Sequence, residues 1–409
     1  MNAFNEFLTI LVGLAAWAAP SIVLTGPVSN DAAAATAALS PFASIAAFHR
    51  RARELDSLNG GDWHKTNLWD DKGRYYWHQA YVMQAYVWLY EITRDTYWLA
   101  KLLDHVDHVL AQRDNLTGHK DYLGRLAPAW QERKSRYVWN GFTGAITWPM
   151  LSFAGLVQGH PDLKTILAPD GKNYLAKAKE YAAAAEAALA FHANDWREST
   201  TEGYYIYAAD MPAPSIAGRI SAYDMNALMG LAHLVLAGYY RQTADRDRES
   251  LHAERYRRYA AFFRRNITPH QNAKGQTYYI WPFAEYYGRQ ADDVGHANFN
   301  VLFAYYCYRE KWVFTLDDMR CFGRTLDRII ADDFSIPNNR IDGTNIANVS
   351  KHVLYWHLLA AFDDELLSKS LGFFAKNGDS FLDLVTIGYV LHLKGRLGGL
   401  GGREFCGRA

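Results

Sequence analysis

The sequence predicts an all-α protein whose helices pair into hairpins and close into an α/α toroid of about six or seven pairs. Apolar residues recur at helical spacing from about residue 45 to the end of the chain, and alternating strand patterns are scarce. Several apolar helices are each followed, after a short turn, by a more charged helix. The inner helices of a ring are apolar on nearly every face and the outer ones are amphipathic, so this alternation favours a toroid over an irregular helical array.

The predicted helices follow one another along the chain with short connections. Tyr76, Ala80, Met83 and Val87 stand three and four residues apart and predict a helix over 75–93. An alanine-rich composition does the same for 172–192. Further helices are predicted over 45–58, 99–112, 141–157, 223–240, 249–265, 296–311, 316–332, 349–362 and 381–397. Two short strand candidates, 204–207 and 276–280, are compatible with a small β-hairpin at a rim.

The first 40 residues differ in composition from the rest of the chain. The stretch 7–19 is apolar, too short for a comfortable membrane span and followed by small residues, which is typical of a secretory signal peptide. It departs from that pattern in having Glu6, and no Lys or Arg, before the apolar run. Residues 26–40 are rich in Ala, Ser, Thr and Gly and indicate a flexible lead-in. We therefore expect an exported protein with no membrane span once processed, and one catalytic domain over 41–400.

Composition excludes some classes of function. The 43 basic and 43 acidic residues give a net charge of zero, which speaks against a nucleic-acid-binding protein. The three cysteines, Cys307, Cys321 and Cys406, predict neither a disulfide framework nor a zinc ribbon and leave a single Cys307–Cys321 bridge open. The 13 Trp, 27 Tyr and 20 Phe residues fit either a ring-rich core or a groove lined by aromatic side chains.

Groups of polar and aromatic residues stand where the most apolar helices begin. We call them the helix-start clusters: Trp77-His78-Gln79, Trp139-Asn140-Gly141-Phe142-Thr143, Tyr223-Asp224-Met225-Asn226, His296-Ala297-Asn298 and, as a fifth candidate, Tyr355-Trp356-His357. The start of a helix presents free N–H groups and favours anions. A toroid places the starts of its inner helices around one mouth, so these clusters would face one cavity. In an irregular array they would be ordinary helix caps.

The residue types in these clusters suit β-elimination from an acidic sugar polymer. That reaction needs a group that stabilises charge on the uronate carboxylate, a base for the C5 proton and an acid for the leaving O4. Tyr and His can move protons without a metal, and Asn or the planar fork of Arg can bind a carboxylate. The candidate catalytic residues are His296, Tyr223, Tyr286 and Tyr355, and the candidate substrate-binding residues are Asn226, Asn140, Arg340, Arg289, Asn298, His78 and Trp281.

Other interpretations of the same residues stay open. A glycoside hydrolase would need two carboxylates roughly 5 to 10 Å apart, which Asp224 with Asp292, Asp293 or Glu285 could supply. An exported glycan-binding protein would keep the aromatic rim without needing His296. The pair His105 and His108 has a spacing that could bind a metal, but the charged face of its helix predicts solvated side chains. No Asp pair extends to DDxxD, and HExxH, GxSxG and P-loop motifs are absent, so we expect no metal and no cofactor.

Three runs resemble the pattern of α/α-toroid polysaccharide lyases, in particular the alginate and glucuronan lyases of polysaccharide lyase family 38. They are 221–245, with Tyr223-Asp224-Met225-Asn226, 278–283, and 291–306, with Asp292-Asp293-Val294-Gly295-His296. The likeness covers roughly 70–365, and its specific matches are confined to these runs. This chain departs from the pattern where Asp224-Met225-Asn226 replaces an Asn directly after the Tyr.

The resemblance implies an exported lyase that cleaves β-1,4-linked uronate polymers such as alginate or glucuronan by metal-independent β-elimination. It assigns His296 and a tyrosine to the proton transfers and an Asn or Arg to the carboxylate. It does not choose among Tyr223, Tyr286 and Tyr355 for the tyrosine. The expected partner is therefore an acidic polysaccharide substrate.

Overall fold

The computed structural model describes residues 38–58, 75–345, 353–377 and 380–398, with only the backbone of Tyr75 and Trp77. The predicted signal segment 7–19 and most of the predicted lead-in lie outside the described residues. Within the described ranges the chain is mostly helical and has only two short two-stranded sheets, which confirms the predicted all-α class. No helix in these ranges has both the length and the apolar character that crossing a membrane requires.

Eleven α-helices are labelled here, within the described ranges. They are α1 (Ile45–Leu58), α2 (Ala80–Thr93), α3 (Tyr97–Ala111), α4 (Asn140–Gly159), α5 (Tyr174–Ala190), α6 (Tyr223–Gln242), α7 (Arg246–Asn266), α8 (Val294–Arg309), α9 (Leu316–Ile329), α10 (Asp364–Asn377) and α11 (Phe381–Leu393). A π-helical turn, Tyr75–Gln79, leads into α2, and a 3-10 helix, Leu354–Phe362, precedes α10. The predicted helix over 349–362 is thus a 3-10 helix in its described part.

Two details of the predicted secondary structure are corrected. The strand candidates pair not with each other but each with its own neighbour: β1 (Trp196–Glu198) with β2 (Gly203–Tyr205), and β3 (Thr268–Gln271) with β4 (Thr277–Ile280), both antiparallel. Helix α10 was not predicted, because Gly372 in its middle weakens the helical pattern. That glycine has a packing reason, since a Cβ there would lie 2.3 Å from the ring of Phe334.

The apolar helices pack both against their charged partners and against one another. Helices α2, α4, α6 and α8 each contact the helix that follows them, α3, α5, α7 and α9. In addition α2 contacts α4, α4 contacts α6, α6 contacts α8, α8 contacts the 3-10 helix, and the 3-10 helix contacts α11. Helix α11 contacts α2, so the order of neighbours returns to the first of these helices.

Aromatic side chains from four of these segments meet around Tyr355, which is 2% exposed. Its ring centroid lies 6.0 Å from Tyr81 and 5.7 Å from Trp88, both on α2, 5.7 Å from Trp148 on α4, and 6.1 Å from Phe299 on α8. The hydroxyl of Tyr355 makes no hydrogen bond to any described residue. Tyr355 is thus a packing residue at the centre of the aromatic core, and its catalytic role stays a prediction. Each such ring pair adds about 0.5–1.5 kcal/mol beyond the burial of its surface.

Glycines let α4 and α6 approach each other closely. A Cβ at Gly144 would lie 2.5 Å from the carbonyl carbon of Leu228, and one at Gly141 would lie 2.7 Å from the Cα of Met225. The first turns of the two helices are joined as well, because the Asn140 amide donates to Ser221 Oγ at 3.0 Å. Backbone contact along α4 therefore places the start of α4 beside the start of α6.

Two further expectations are resolved by burial. Cys307 and Cys321 are both buried free thiols, so they do not form the bridge that the sequence left open. His105 is completely buried, with its Nδ1 against the Gln79 amide and its ring packed on Tyr86, and is not the solvated residue that the charged face of α3 predicts. Charged residues indicate which face of a helix points outward, but they do not show whether a neighbouring segment packs on that face.

The close contact of α4 with α6 can be tested with two glycine substitutions on the same helix. Gly144→Ala places a methyl group against the α6 backbone, and we expect it to lower the free energy of unfolding by about 1–3 kcal/mol. Gly155→Ala is the matched control, because a Cβ there meets nothing within 4 Å; its better helix propensity can add up to about 1 kcal/mol. Denaturant unfolding measures both. Equal stabilities of the two variants would contradict the packing described.

Candidate functional site

The starts of α6 and α8 are connected through one loop. We call residues 282–291 the rim loop; an isolated bridge between Pro282 and Ala291 closes it, and the Phe283 N–H donates to the Gln290 carbonyl at 3.0 Å. The N–H of Tyr223, the first residue of α6, donates to the carbonyl of Phe283 at 3.0 Å. The ring of Phe283 lies 5.1 Å from the imidazole of His296 in the first turn of α8. Residues 73 positions apart in the chain are thus brought to one place.

Asp293 both caps α8 and holds the imidazole of His296. It is the residue before the helix, and its Oδ1 accepts the His296 backbone N–H at 3.0 Å. Its other oxygen, Oδ2, is hydrogen-bonded to Nδ1 of the same histidine. A single carboxylate therefore satisfies one of the free N–H groups of the helix start and fixes the orientation of the ring.

The His296 side chain is a cation at neutral pH. Burial would lower its pKa, since the residue is 5% exposed, but the neighbouring carboxylates of Asp293, Asp224 and Asp292 raise the pKa to about 10. The protonated ring then has an N–H to donate from each nitrogen. His296 is accordingly suited to donate a proton or to stabilise a negative charge, and is not a base in this state.

Asp292 is a second buried carboxyl group beside this pair. Its Oδ1 accepts the Asp293 N–H at 2.9 Å, and its Oδ2 accepts from the Trp281 indole and the Asn300 amide, both at 3.1 Å. Burial, and then the charge of Asp293, raise the pKa of Asp292 well above the usual range of a carboxyl group. Asp292 is therefore a buried carboxyl group with a raised pKa, and its oxygens accept three N–H bonds beside the ion pair.

Trp281, which the sequence left as either a core residue or a sugar platform, lies in the core. It is 1% exposed, and its ring lies 5.8 Å from Trp356, 5.4 Å from Phe322 and 5.8 Å from Phe263. Its indole N–H is used by Asp292. Trp281 packs on the core side of the acidic residues, and neither face of its ring is open to a ligand.

Asp224, the second residue of α6, completes what we call the acid–histidine cluster: Asp224, Asp292, Asp293 and His296. Asp224 is completely buried, and neither of its oxygens forms a hydrogen bond of normal geometry with any described residue. Burial raises its pKa to about 6, against the opposing effects of the His296 charge and of the backbone N–H groups of Met225 and Asp224 itself. It is thus the member of the cluster whose oxygens are held least by hydrogen bonds of normal geometry within the described residues.

The spacing within the cluster is short enough for a metal ion, but its atoms are engaged. Ligand atoms of Asp292, Asp293 and His296 lie within 4.8 Å of one another. The oxygens of Asp292 and Asp293 already accept the N–H bonds described above, and Nδ1 of His296 is bonded to Asp293. A metal ion bound by these atoms would have to displace those hydrogen bonds.

Tyrosines surround the cluster on the side of the rim loop. The Tyr223 hydroxyl donates to Glu285 Oε1 at 2.7 Å, and the hydroxyl oxygens of Tyr207 and Tyr286 lie 3.4 Å apart. Burial raises the pKa of Tyr223 and of Tyr286, and the nearby Glu285 carboxylate raises that of Tyr223 further. Both phenols therefore stay protonated at neutral pH and are potential acids.

Ring contacts extend this aromatic rim to the starts of α2 and α4. The rings of Tyr286 and Tyr207 lie 6.0 Å apart, and the Tyr207 ring lies 5.6 Å from Trp139, the residue before α4. The Tyr76 ring, in the turn that leads into α2, stacks on Phe142 at 4.0 Å. Ring contacts and hydrogen bonds therefore join the starts of α2, α4, α6 and α8 in one continuous region.

Both predicted arginines lie on this rim. Arg289 has a left-handed backbone, with φ of 58°, and its guanidinium lies 3.8 Å from Glu285 and 3.4 Å from Asn266 Oδ1. Arg340 donates to Gln290 Oε1 at 2.9 Å, and its backbone is bridged to Asp293. The exposed side chain of Arg289 is the more accessible of these cations for a ligand that approaches from solvent.

The predicted asparagines serve mainly the protein itself. The Asn226 side chain accepts the Tyr205 N–H at 2.6 Å and donates to the Ser221 carbonyl at 2.9 Å, so it holds β2 against α6. Asn140 links α4 to Ser221, and the Asn298 amide donates to the Gly295 carbonyl. His78 is half-buried in the turn before α2. Their roles toward a substrate stay predictions.

Sequence reasoning did not single out Tyr207 and Phe283 and gave Asp224 only the role of a hydrolase carboxylate. Tyr207 stood in a strand candidate, and Phe283 in a run of aromatic residues, so neither pattern separated them from core residues. In comparisons with known proteins, no family model, no curated protein and no solved structure matches this chain. The arrangement of the site itself is therefore the basis for any functional proposal.

The ion pair of His296 with Asp293 predicts a specific dependence of stability on pH. The pKa of folded His296 is raised from 6.5 to about 10, so its contribution to stability is fully present below pH 6.5 and is lost as the pH rises through about 10. We expect the free energy of unfolding of the wild type to fall across this window by a few kcal/mol, on the order of a broken buried pair, more than that of His296→Asn. Denaturant unfolding at a series of pH values measures the difference. Parallel pH curves for the two proteins would contradict the assignment.

Proposed function

We propose that the helices form an α/α toroid whose mouth is the region of the helix starts. The neighbour order from α2 through α4, α6, α8 and the 3-10 helix to α11, and back to α2, supports this arrangement. The ring contacts of Tyr355 with α2, α4 and α8 support it independently, since helices on opposite sides of a ring would meet at its axis. In this arrangement the aromatic core fills the inside of the ring below the acid–histidine cluster.

We infer that the protein is a polysaccharide lyase that cleaves β-1,4-linked uronate polymers, such as alginate or glucuronan, by β-elimination. The observation that carries this inference is the protonated His296, oriented by Asp293 at the start of a helix, together with Tyr223 and Tyr286 of the same region, which stay protonated. A fixed cation at a helix start stabilises the negative charge that develops on the uronate carboxylate when C5 loses its proton. A neighbouring phenol, Tyr286 or Tyr223, can then protonate the leaving O4.

The rim supplies the first contact for an anionic polymer in this proposal. The acid–histidine cluster is at most 6% exposed, whereas the side chains of Glu285 and Arg289 on the rim loop are 30% and 54% exposed. A substrate unit reaches the cluster when the rim loop moves, which breaks the contacts of Tyr223 with Glu285 and of Tyr286 with Tyr207. Export, proposed from the apolar run 7–19, would place the protein where such polymers occur.

A glycoside hydrolase is the second candidate, and one observation favours it. Asp224 is a buried carboxyl group with a pKa of about 6, which is the property of a general acid in such enzymes. Glu285 or Asp293 would be its partner carboxylate. The two reactions differ in their products, because hydrolysis releases reducing ends without a double bond and elimination leaves an unsaturated uronate at the new non-reducing end.

The assay that tests the proposed function incubates the full chain with alginate, glucuronan and a neutral glycan. We expect ultraviolet absorbance from unsaturated ends with a uronate polymer and none with the neutral glycan. His296→Gln should lower the rate by roughly 100-fold or more, because it removes the cation and its protons. His270→Gln, an exposed histidine on β3, is the matched control and should leave the rate unchanged.

Other outcomes of the same assay would reject the proposal. Reducing ends without unsaturation would identify a hydrolase. Binding of a uronate polymer with no cleavage would identify a glycan-binding protein. A near-normal rate for His296→Gln would remove His296 from the reaction.

A further inference from the structure

The acid–histidine cluster contains a cation and potential acids, but β-elimination also needs a base. His296 is protonated, and the phenols of Tyr223 and Tyr286 keep their protons because burial raises their pKa values. Asp293 is engaged by His296 through both oxygens, and Asp292 accepts three N–H bonds. None of these groups can take a proton from carbon without first giving up an existing bond or proton.

Asp224 differs from all of them in its contacts. It is completely buried in the first turn of α6, and its two oxygens have no hydrogen bond of normal geometry to any described residue. A buried carboxylate with so few donors is costly, and a catalytic role is one of the explanations for such a group in a native protein. Asp224 interacts electrostatically with His296 and Asp293, so it lies where α6 meets the start of α8.

Charged and titratable groups from every neighbouring element face Asp224. It interacts electrostatically with groups on α2, on the segment after β2, on α7, in the rim loop and at the start of α8; these are Tyr81, Tyr207, Tyr259, Tyr286, Asp292, Asp293 and His296. His296 is the one cation among them, and the tyrosines are neutral. Asp224 is therefore central to the mouth and close to both the proposed carboxylate-binding cation and the proposed acid.

We propose that Asp224 is the catalytic base that removes the C5 proton of the uronate. This inference rests on the proposed function and adds a residue to it. The C5–H bond breaks, its proton goes to a carboxylate oxygen of Asp224, and its electron pair forms the C4–C5 double bond as the C4–O4 bond breaks. O4 leaves with the electron pair of the C4–O4 bond and takes the phenolic proton of Tyr286. A proton passes back from Asp224 to the phenolate, so no oxidant, reductant or metal is consumed.

Asp224 is a base in this proposal, whereas in a hydrolase it would be an acid. A base must be ionised, so turnover by elimination falls as the pH drops through about 6, the pKa of Asp224. An acid must be protonated, so a hydrolase that uses Asp224 in this way loses activity as the pH rises through the same value. Whether the rate falls toward low pH or toward high pH around this value therefore distinguishes elimination from hydrolysis.

The experiment compares Asp224→Asn with the wild type on a uronate polymer. We expect formation of unsaturated ends to fall by roughly 100-fold or more, while polymer binding, measured by calorimetry, stays within about threefold because the amide adds no bulk. Asp114→Asn is the matched control. Asp114 is also completely buried, and its pKa is also raised, but it interacts with Gln131 and Asp121 rather than with the cluster. Its activity should equal that of the wild type.

A second variant protects the test against a folding defect. Asp224→Ala leaves a space where the carboxylate was, and added formate should restore part of its turnover, which a purely structural role of Asp224 would not allow. Thermal unfolding of each variant verifies that it is folded. Glu285→Gln is measured alongside, because Glu285 could act as a base through Tyr223.

The outcomes separate this inference from the proposed function. If the wild type produces unsaturated ends and Asp224→Asn keeps more than about a tenth of that rate, Asp224 is not the base and only this inference fails. Loss of turnover in Glu285→Gln but not in Asp224→Asn would move the role to Glu285. If the wild type produces no unsaturated ends from any uronate polymer, the proposed lyase function fails and the assignment of a base falls with it.

Discussion

The structure of the site depends on one buried ion pair. The carboxylate of Asp293 caps α8 and holds the imidazole of His296, and neither charge could stay buried without the other. Separating such a pair in a protein interior costs roughly 3–5 kcal/mol, because the remaining charge is left unpaired. Around it, the indole of Trp281 and the amide of Asn300 hold Asp292, and the carbonyl of Asp292 receives the Ile341 N–H. These hydrogen bonds connect the ion pair to three segments: the start of α8, β4 with the residues that follow it, and the polar loop before residue 345.

The helical packing explains why this charge lies among residues from distant parts of the chain. Gly144 permits backbone contact between α4 and α6, and the rings around Tyr355 connect α2, α4 and α8. The starts of α4 and α6 are joined by the Asn140–Ser221 hydrogen bond, and those of α6 and α8 by the rim loop, so side chains of their first turns lie in one region. Different parts of the same helices thus serve stability and the proposed chemistry. The aromatic rings in the middle stabilise the packing, and the titratable groups at the starts would carry the chemistry.

Much of the fold could be predicted from the sequence, because helical periodicity and breakers are local properties. Apart from α10, the helices lie close to their predicted bounds, and His296, Tyr223, Tyr286, Arg289 and Arg340 do lie in one region. The direction of a side chain is not local and could not be predicted in the same way. Tyr355 and Trp281 have the residue types of a sugar-binding rim but face the core, and Asn226 is used by the backbone of Tyr205. The unusual feature of Asp224, a buried carboxylate with no hydrogen bond of normal geometry to any described residue, exists only after several elements have packed around it.

The charge of His296, which the surrounding carboxylates hold, can be measured directly. Nitrogen-15 NMR of the histidine-labelled full chain, with His296→Gln to assign the signal, reports the protonation of both ring nitrogens. We predict that both nitrogens carry protons at neutral pH and that the ring loses its charge only as the pH approaches about 10. A neutral ring at neutral pH, titrating near the ordinary value of 6.5 or below it, would show that these carboxylates do not hold His296 as a cation.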